Sequence, residues 1–210
     1  MKYEIRNAAI TIVIINIVIF ALQIILGDNF TNSLALVSAD IFSRPWILLT
    51  YMFVHNGPYH LFFNMYGLAI FGPLLEERIG SKRFLLIYLA SGIFAAAVSS
   101  LFYEVALGAS GAIMGMLGTL VVLMPDLKVL ALFVVPMPLW LAEALFAIFD
   151  VLGVFFPSNI GHIAHLAGLG MGVLYGLYLK GKKSKFYDKF HSKKHLESDD
   201  IEEYLKTGRI

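Results

Sequence analysis

Six long apolar runs recur along this chain, separated by shorter segments that carry most of the charged residues. Each run is close to the roughly 20 residues that an α-helix needs to cross about 30 Å of hydrocarbon. The runs are continuous, whereas a membrane-spanning β-strand alternates apolar and polar positions. The pattern predicts an all-α membrane protein, a bundle of six transmembrane helices at about residues 8–26, 60–78, 84–103, 109–125, 129–155 and 161–180.

Composition agrees with a membrane-embedded chain. Of the 210 residues, 59% are hydrophobic and 15% are charged, whereas a soluble domain is about half apolar and a quarter charged. The formal net charge of +1 argues against a nucleic-acid partner. The chain has no cysteine, which excludes disulfides, thiolate metal sites and a cysteine nucleophile.

The basic residues indicate which way the spans run. Lysines and arginines flank one side of the spans, whereas Arg44 is the only such residue on the other side. By the positive-inside rule, this bias predicts that both termini are cytoplasmic. The first run resembles a signal peptide, but it is longer than the usual apolar core and lacks a small-x-small cleavage site. We therefore expect it to be retained as the first span.

The chain divides into a predicted membrane core at residues 1–180 and a charged cytoplasmic tail at residues 181–210. Within the core, residues 27–59 are too polar and broken to span, yet they include the apolar stretch PWILLTYMF, so we expect an outer loop that is partly embedded in the membrane. The tail is basic and then acidic. It is either a segment that lies on anionic headgroups or a solvated tail with one short helix.

Four polar residues inside the runs are predicted to lie at one depth. His60 with Asn64, Ser110 and His165 belong to spans two, four and six, and each is 12 to 16 residues from the first charged residue at the inner end of its span. At about 1.5 Å rise per residue, His60, Ser110 and His165 lie roughly 22–24 Å above the inner boundary. An unpartnered polar group in hydrocarbon costs roughly 2–7 kcal/mol, so these side chains should face one another or water.

Stripes of small residues indicate how two of these spans could meet. Small residues at helical spacing allow close approach of helices in a membrane. Ser110 heads one stripe and His165 heads the other, so the sequence predicts contact between their side chains. The stripes are Gly111, Gly115 and Gly118 in span four, and Gly168, Gly172 and Gly176 in span six.

The residue types at this depth suit acyl transfer. A serine hydroxyl becomes a nucleophile when a base within hydrogen-bond reach takes its proton, and histidine suits that role at neutral pH. Spans four and six hold no carboxylate near His165, so the sequence favours a Ser110–His165 dyad over a triad, with Glu104 left open as a helper. His60, Asn64 and the N–H of Ser110 at a helix start are candidate oxyanion donors.

Three motifs together resemble those of the rhomboid intramembrane serine proteases. GASG at 108–111 is similar to the family's GxSG motif, HNGPYHLFFNM at 55–65 to its second-span motif, and AHLAG at 164–168 to its sixth-span motif. EERIG at 76–80 is similar to the inner end of the second span. The resemblance covers about residues 8–180, which is the whole predicted bundle.

The resemblance implies roles for individual residues and a reaction. It implies Ser110 as nucleophile, His165 as general base, and His60 and Asn64 as oxyanion donors in the cleavage of peptide bonds in or beside transmembrane segments of membrane proteins. It also implies neither a metal nor a cofactor, and a fifth helix and outer cap, at residues 129–155 and 156–161, that gate substrate entry. The motif positions that support these residues are Gly108, Gly111, His55, His162, Ala164 and Gly168.

Span five carries two acidic residues, Glu143 and Asp150, seven apart and so on one helical face. Charges at membrane depth often mark function. They indicate either a water path beside the gate or a structural role, in which both pair within the bundle or lie near an end of the span. His55, Asn56 and Asn159 are candidates to line a water path from the outer side.

Three rival functions remain open from the sequence. The first is a catalytically inactive rhomboid-like protein that binds membrane clients, although such relatives are expected to lack the serine or the histidine. The second is a proton-coupled transporter, which leaves the shared depth of the three motifs unexplained. The third is a histidine-ligated metal enzyme, for which the sequence offers no HExxH motif. The six-span pattern without a seventh helix favours a prokaryotic cell membrane.

Overall fold

The computed structural model describes residues 7–131, 134–156, 158 and 160–190, with side chains as far as residue 182 except that of residue 131. Asn159 and the tail beyond residue 190 lie outside the described residues. Eight helices are present in the described part: α1 (Ala8–Leu26), α2 (Asp28–Leu34), α3 (Ile47–Thr50), α4 (Gly57–Ile79), α5 (Ser81–Ser99), α6 (Ser110–Leu123), α7 (Leu139–Gly153) and α8 (His162–Phe190).

Two short antiparallel ladders accompany the helices. Strand β1 (Leu36–Val37) pairs with β2 (Val105–Ala106), and β3 (Lys128–Ala131) pairs with β4 (Val135–Pro138). The first ladder joins the segment after α2 to the segment that leads into α6. The chain is thus predominantly helical, with strands only in connecting segments of the described part.

The helices agree with the predicted spans in part. The first run forms α1 with the predicted bounds. Among the described residues, three helices are long and apolar enough to cross a membrane, at Ala8–Leu26, Ser81–Ser99 and His162–Lys182, and α6 is a shorter apolar helix. Helix α4 has 23 residues, and its C-terminal end carries the charges of the EERIG motif. The protein is therefore an integral membrane protein, and the count of six spans stays a prediction.

The predicted fifth span at residues 129–155 is wrong in its first third. The hairpin β3–β4 occupies this part, and the helix begins only at Leu139 and has 15 residues. Pro136 and Pro138 explain the difference, because proline lacks the N–H that a helix interior needs and disfavours helical backbone at the preceding residue. Apolar content alone did not reveal this break.

The outer segment at residues 27–59 is folded against the bundle. Besides α2 and α3 it contains two 3-10 turns, Ser38–Asp40 and Tyr51–Phe53. Ile47 and Met52 are fully buried, and the Tyr51 hydroxyl donates to the carbonyl of Gly92 in α5 over 2.8 Å. The segment is a packed layer beside the helices, as expected for a loop that does not span.

A buried carboxylate joins the first helix to the end of α4. Glu76 accepts hydrogen bonds from the backbone N–H of Ala8 at 2.8 Å and of Ala9 at 2.9 Å, and from the Ser81 hydroxyl at 2.6 Å. The first N–H groups of a helix have no partner within it, and a negative charge there also suits the helix dipole. The first glutamate of EERIG therefore caps α1.

Helices α6 and α8 make the closest contact in the bundle. A Cβ atom added at Gly168 would lie 2.0 Å from the Gly111 carbonyl oxygen, and one at Gly172 would lie 1.9 Å from that of Gly115. The Thr119 hydroxyl lies 3.0 Å from the carbonyl of Gly172 across the contact and 3.0 Å from that of Gly115 in its own helix, so its hydrogen is shared between the two helices. The predicted approach of the two glycine stripes is confirmed, and only glycine fits at these positions.

Replacing Gly172 by alanine should destabilise the bundle. The new methyl group meets backbone rather than a flexible side chain, so the helices must separate, and overpacking of this kind costs about 1–3 kcal/mol or more. We expect a clear fall in the thermal midpoint of the purified protein in detergent. Gly170→Ala is the matched control, because it lies on the same helix and nothing is within 4 Å of its added Cβ. Equal midpoints for the two variants would contradict the account.

Candidate active site

Ser110 is the first residue of α6, as the sequence predicted. The preceding loop is held in place, because the N–H of Gly108 donates to the carbonyl of Tyr51 over 2.9 Å. The N–H groups of the first helical turn have no acceptor within the helix. The hydroxyl therefore lies beside free backbone donors at the positive end of a helix dipole.

His165 lies in the first turn of α8, and its Nε2 is 2.8 Å from the Ser110 Oγ. The backbone N–H of His165 donates to Gly161 at 3.0 Å, which fixes the ring at the start of the helix. Gly168, one turn below, lies against Gly111, one residue after the serine. The contact that the sequence predicted between the two side chains is present in the structure.

A carboxylate also contacts His165, and the sequence analysis did not assign it there. Asp150 Oδ1 on α7 lies 3.1 Å from the His165 Nδ1 and 2.7 Å from the His162 Nδ1. The expectation that spans four and six carry no carboxylate near His165 holds, but the sequence analysis did not foresee that α7 brings one there. The signal in the sequence that could have indicated this contact was an acidic residue within an apolar run. Asp150 is therefore paired within the bundle, as one of the alternatives for the two acids of this span predicted.

Glu143, two turns before Asp150, has a different environment. Its Oε2 is buried with no hydrogen-bond partner among the described residues. Glu104, the helper left open above, is exposed, and its carbonyl accepts from the Ser38 N–H at 2.9 Å. The two ring nitrogens of His165 therefore contact Ser110 and Asp150.

His162 packs α7 onto α8. Its ring is buried, and its Nε2 lies 2.9 Å from the Ser158 Oγ. A Cβ atom added at Gly153 would lie 2.3 Å from the ring, so the imidazole rests directly on the α7 backbone. The Phe149 ring meets it edge-on at a centroid distance of 5.4 Å.

His60 and Asn64 lie on α4 beside the loop that precedes Ser110. A Cβ atom added at Gly108 would lie 2.5 Å from the His60 Cε1 and 2.7 Å from its Nε2, and Gly108 has a φ of +117°. The close approach of the His60 ring and the positive φ both require glycine at position 108. The Asn56 N–H donates to the His60 Nδ1 over 3.2 Å, so the neutral ring carries its hydrogen on Nε2. The Asn64 Nδ2 donates to the His60 carbonyl over 2.8 Å.

His55 supports His60 from the outer segment. The two rings meet edge-on at a centroid distance of 5.2 Å. Gln23 on α1 accepts from the His55 N–H at 2.9 Å and donates to its carbonyl at 3.2 Å, which fixes the backbone. Burial, with the neighbouring His60, lowers the pKa of His55 to about 3. The ring is therefore neutral at pH 7 and packs as an uncharged surface.

The remaining predicted motif positions act in packing. Ala164 is buried, and its carbonyl oxygen lies 3.4 Å from a Cβ added at Gly111. The same added Cβ would lie 2.6 Å from that of Ala95 on α5. Gly111 and Ala164 therefore let three helices converge below Ser110. Asn56 is exposed, in keeping with a place on the outer side.

Three side chains at the site are of types that bind metal ions. Asp150, His162 and His165 offer ligand atoms that all lie within 4.8 Å of one another. The separation of 2.7 Å between Asp150 and His162 is that of a hydrogen bond. It is shorter than the about 3.3 Å between two ligands on a tetrahedral zinc with bonds of about 2.0 Å. The arrangement fits hydrogen bonding better than metal ligation.

Comparison with known proteins places these residues in a family. A family model described as the rhomboid domain matches residues 43–182. Rhomboid protein 1, mitochondrial, from Saccharomyces cerevisiae is 32% identical over 187 residues, which are 83% of this chain and 54% of the yeast protein. The Bacillus subtilis rhomboid protein YdcA is 36% identical over 146 residues, 68% of this chain and 71% of YdcA.

A third relative matches this chain over a shorter stretch. Rhomboid protease GluP from Bacillus subtilis is 44% identical over 108 residues, 48% of this chain and 21% of GluP. The chain thus spans about half the length of the yeast relative and a fifth of GluP. The matched region contains Ser110, His165 and the residues around them, and the chain belongs to the rhomboid family of integral membrane proteins.

Proposed function

We propose that this protein is an intramembrane serine endopeptidase that cleaves peptide bonds in or beside transmembrane segments of membrane proteins. The observation that carries the proposal is the distance of 2.8 Å between the Ser110 Oγ and the His165 Nε2. A histidine nitrogen within hydrogen-bond reach of a hydroxyl is the arrangement that activates a serine. Membership of a family with protease-named relatives supports the same reaction class.

The reaction proceeds in two halves. The Ser110 Oγ attacks the carbonyl carbon of the scissile bond while the His165 Nε2 takes its proton. His165 then gives that proton to the departing amine nitrogen, which leaves an ester on Ser110. A water molecule gives a proton to the His165 Nε2 and attacks the ester carbon, and the proton then passes to the Ser110 oxygen. The enzyme is restored and an acid and an amine product are released.

Three donors are available for the negative oxygen that forms in both halves. The His60 Nε2 carries a hydrogen because its Nδ1 accepts from Asn56. The Asn64 amide has two hydrogens, of which one is bonded to the His60 carbonyl. The Ser110 N–H lies at the helix start. Each such donor accounts for about 10²–10³ in kcat in known acyl-transfer enzymes.

The wider arrangement of the chain is part of the proposal. Residues 1–180 form the membrane core of six spans with both termini in the cytoplasm, and residues 181–210 form a charged tail. The substrate is a single-span or other transmembrane protein that enters from the lipid beside α7 and the connection at residues 156–161. The relatives do not support the expected prokaryotic membrane over an organelle membrane, since some are named mitochondrial or chloroplastic while others come from Bacillus subtilis.

An inactive rhomboid-like protein that binds membrane clients is the alternative. Such a protein has no need of a serine and a histidine in contact at a helix start. The retention of both at 2.8 Å favours the enzyme. For a metal enzyme built on Asp150 and the two histidines, EDTA should abolish cleavage, and the proposal expects it to have no effect.

Loss of either member of the pair should abolish proteolysis. We expect Ser110→Ala and His165→Ala to show no cleavage of a single-span substrate in liposomes, because the nucleophile or its base is gone. Ser100→Ala is the matched control, since the Ser100 hydroxyl bonds only to its local Ala97 carbonyl. Thermal midpoints of all three variants should show that they fold. Cleavage by a folded Ser110→Ala variant at the native rate would contradict the proposal.

Gly108→Ala should impair the oxyanion site. Its methyl group would push the His60 ring away, so we expect kcat to fall by about 10²-fold, the effect of losing one donor. Gly27→Ala separates this effect from backbone strain, because Gly27 also has positive φ, at 74°, but nothing lies within 4 Å of its added Cβ. The Gly27 variant should keep native kcat in the same liposome assay. Equal loss in both variants would assign the effect to strain.

A further inference from the structure

We propose that Asp150 is a positioning residue that holds His165 in the tautomer that catalysis needs. The inference rests on the proposed function, since it assigns a role in the same reaction. It adds a third group, from a third helix, to a serine and a histidine that the sequence analysis favoured as a dyad, with Glu104 left open as a helper. The carboxylate is buried, and one of its oxygens lies within hydrogen-bond distance of two imidazole rings.

The bonding follows from what each group can donate. An ionised carboxylate only accepts hydrogen bonds, so each ring that contacts it must carry a hydrogen on Nδ1. A neutral imidazole with hydrogen on Nδ1 has a lone pair on Nε2. For His165, that lone pair lies 2.8 Å from the Ser110 Oγ and can take the hydroxyl proton.

His162 is held in the same tautomer by the same oxygen. Its Nδ1 lies 2.7 Å from the Asp150 Oδ1, which leaves Nε2 to accept from the Ser158 hydroxyl at 2.9 Å. The ring also rests on the α7 backbone at Gly153. His162 therefore fixes the position of Asp150 relative to α8, and Asp150 in turn fixes the ring of His165.

The charge of Asp150 adds to this geometric effect. When His165 takes the proton of Ser110 it becomes an imidazolium, and a carboxylate 3.1 Å from its Nδ1 stabilises that charge. The gain is large in a buried site, where Coulomb interactions are weakly screened. Because Asp150 lies on α7 while Ser110 and His165 lie on α6 and α8, all three helices must be in place for the site to work.

Asp150→Asn tests the role with little change in size. The amide keeps the shape but has no charge, and its NH₂ group can face the His165 Nδ1, which favours the wrong tautomer. We expect kcat for a single-span substrate to fall by about 10²–10⁴-fold, with KM changed less than threefold, as loss of the orienting carboxylate does in soluble serine proteases. Asp126→Asn is the matched control, because it makes the same acid-to-amide change at an exposed carboxyl just beyond the end of α6 opposite Ser110, and it should keep native kcat.

A purely structural role of Asp150 predicts a different pattern of kcat among the Asp150 variants. If Asp150 only fastens α7 to α8, then Asp150→Asn, which retains hydrogen bonding, keeps native kcat, and only Asp150→Ala loses activity together with thermal stability. Native kcat in Asp150→Asn therefore overturns the inference while leaving the proposed function intact. Failure of the unsubstituted protein to cleave in a Ser110-dependent manner refutes the proposed function instead.

A spectroscopic measurement tests the tautomer without relying on turnover. In the protein with ¹⁵N-labelled histidine, the two ring nitrogens differ strongly in chemical shift according to which carries hydrogen. The His165 signals are assigned by their absence in His165→Gln. We expect hydrogen on Nδ1 at neutral pH, and its loss from that position in Asp150→Asn. Hydrogen on Nε2 in the unsubstituted protein overturns the inference even if the Asp150 variants fail to fold.

Discussion

The contact between α6 and α8 is the constraint on which the rest of the site depends. Lipid offers no hydrophobic driving force for helix association, so close packing of backbones and interhelical hydrogen bonds must supply it. Gly111 and Gly115 face Gly168 and Gly172 with no room for a Cβ atom, and Thr119 bonds across the contact. At the N-terminal ends of the two helices, the same register brings the first residue of α6 against the first turn of α8, and Ser110 meets His165 there.

Two buried carboxylates secure the ends of the bundle. Glu76 caps the first helix at one end, and Asp150 joins α7 to α8 beside the serine. A buried charge is tolerated only where hydrogen bonds replace the water it has lost. Each of these carboxylates contacts two or more hydrogen-bonding groups: Glu76 joins α4 to α1, which is distant in sequence, and Asp150 joins the consecutive helices α7 and α8. The polar groups therefore determine which helices meet, whereas the apolar residues determine that they lie in the membrane.

Much of the site could be predicted because it depends on spacing along single helices. The shared depth of Ser110 and His165 follows from the rise per residue, and the glycine stripes follow from helical periodicity. The bounds of α1 were predictable for the same reason. The paired strands β3 and β4 were missed because their apolar residues match a membrane run, and only Pro136 and Pro138 indicate the break. Asp150 was recognised as a buried acid, but its contact with His165 depends on how α7 rotates and docks, which no one-dimensional pattern contains.

The central claim is that Ser110 is a nucleophile activated by His165 across the contact between α6 and α8. The most direct test is to treat the membrane-reconstituted protein with a fluorophosphonate and to locate the adduct by peptide mass spectrometry. The account predicts a single phosphonyl group on Ser110, formed in the native protein and absent from a folded His165→Ala variant. An adduct at another residue, or equal labelling of Ser110 without His165, would contradict it.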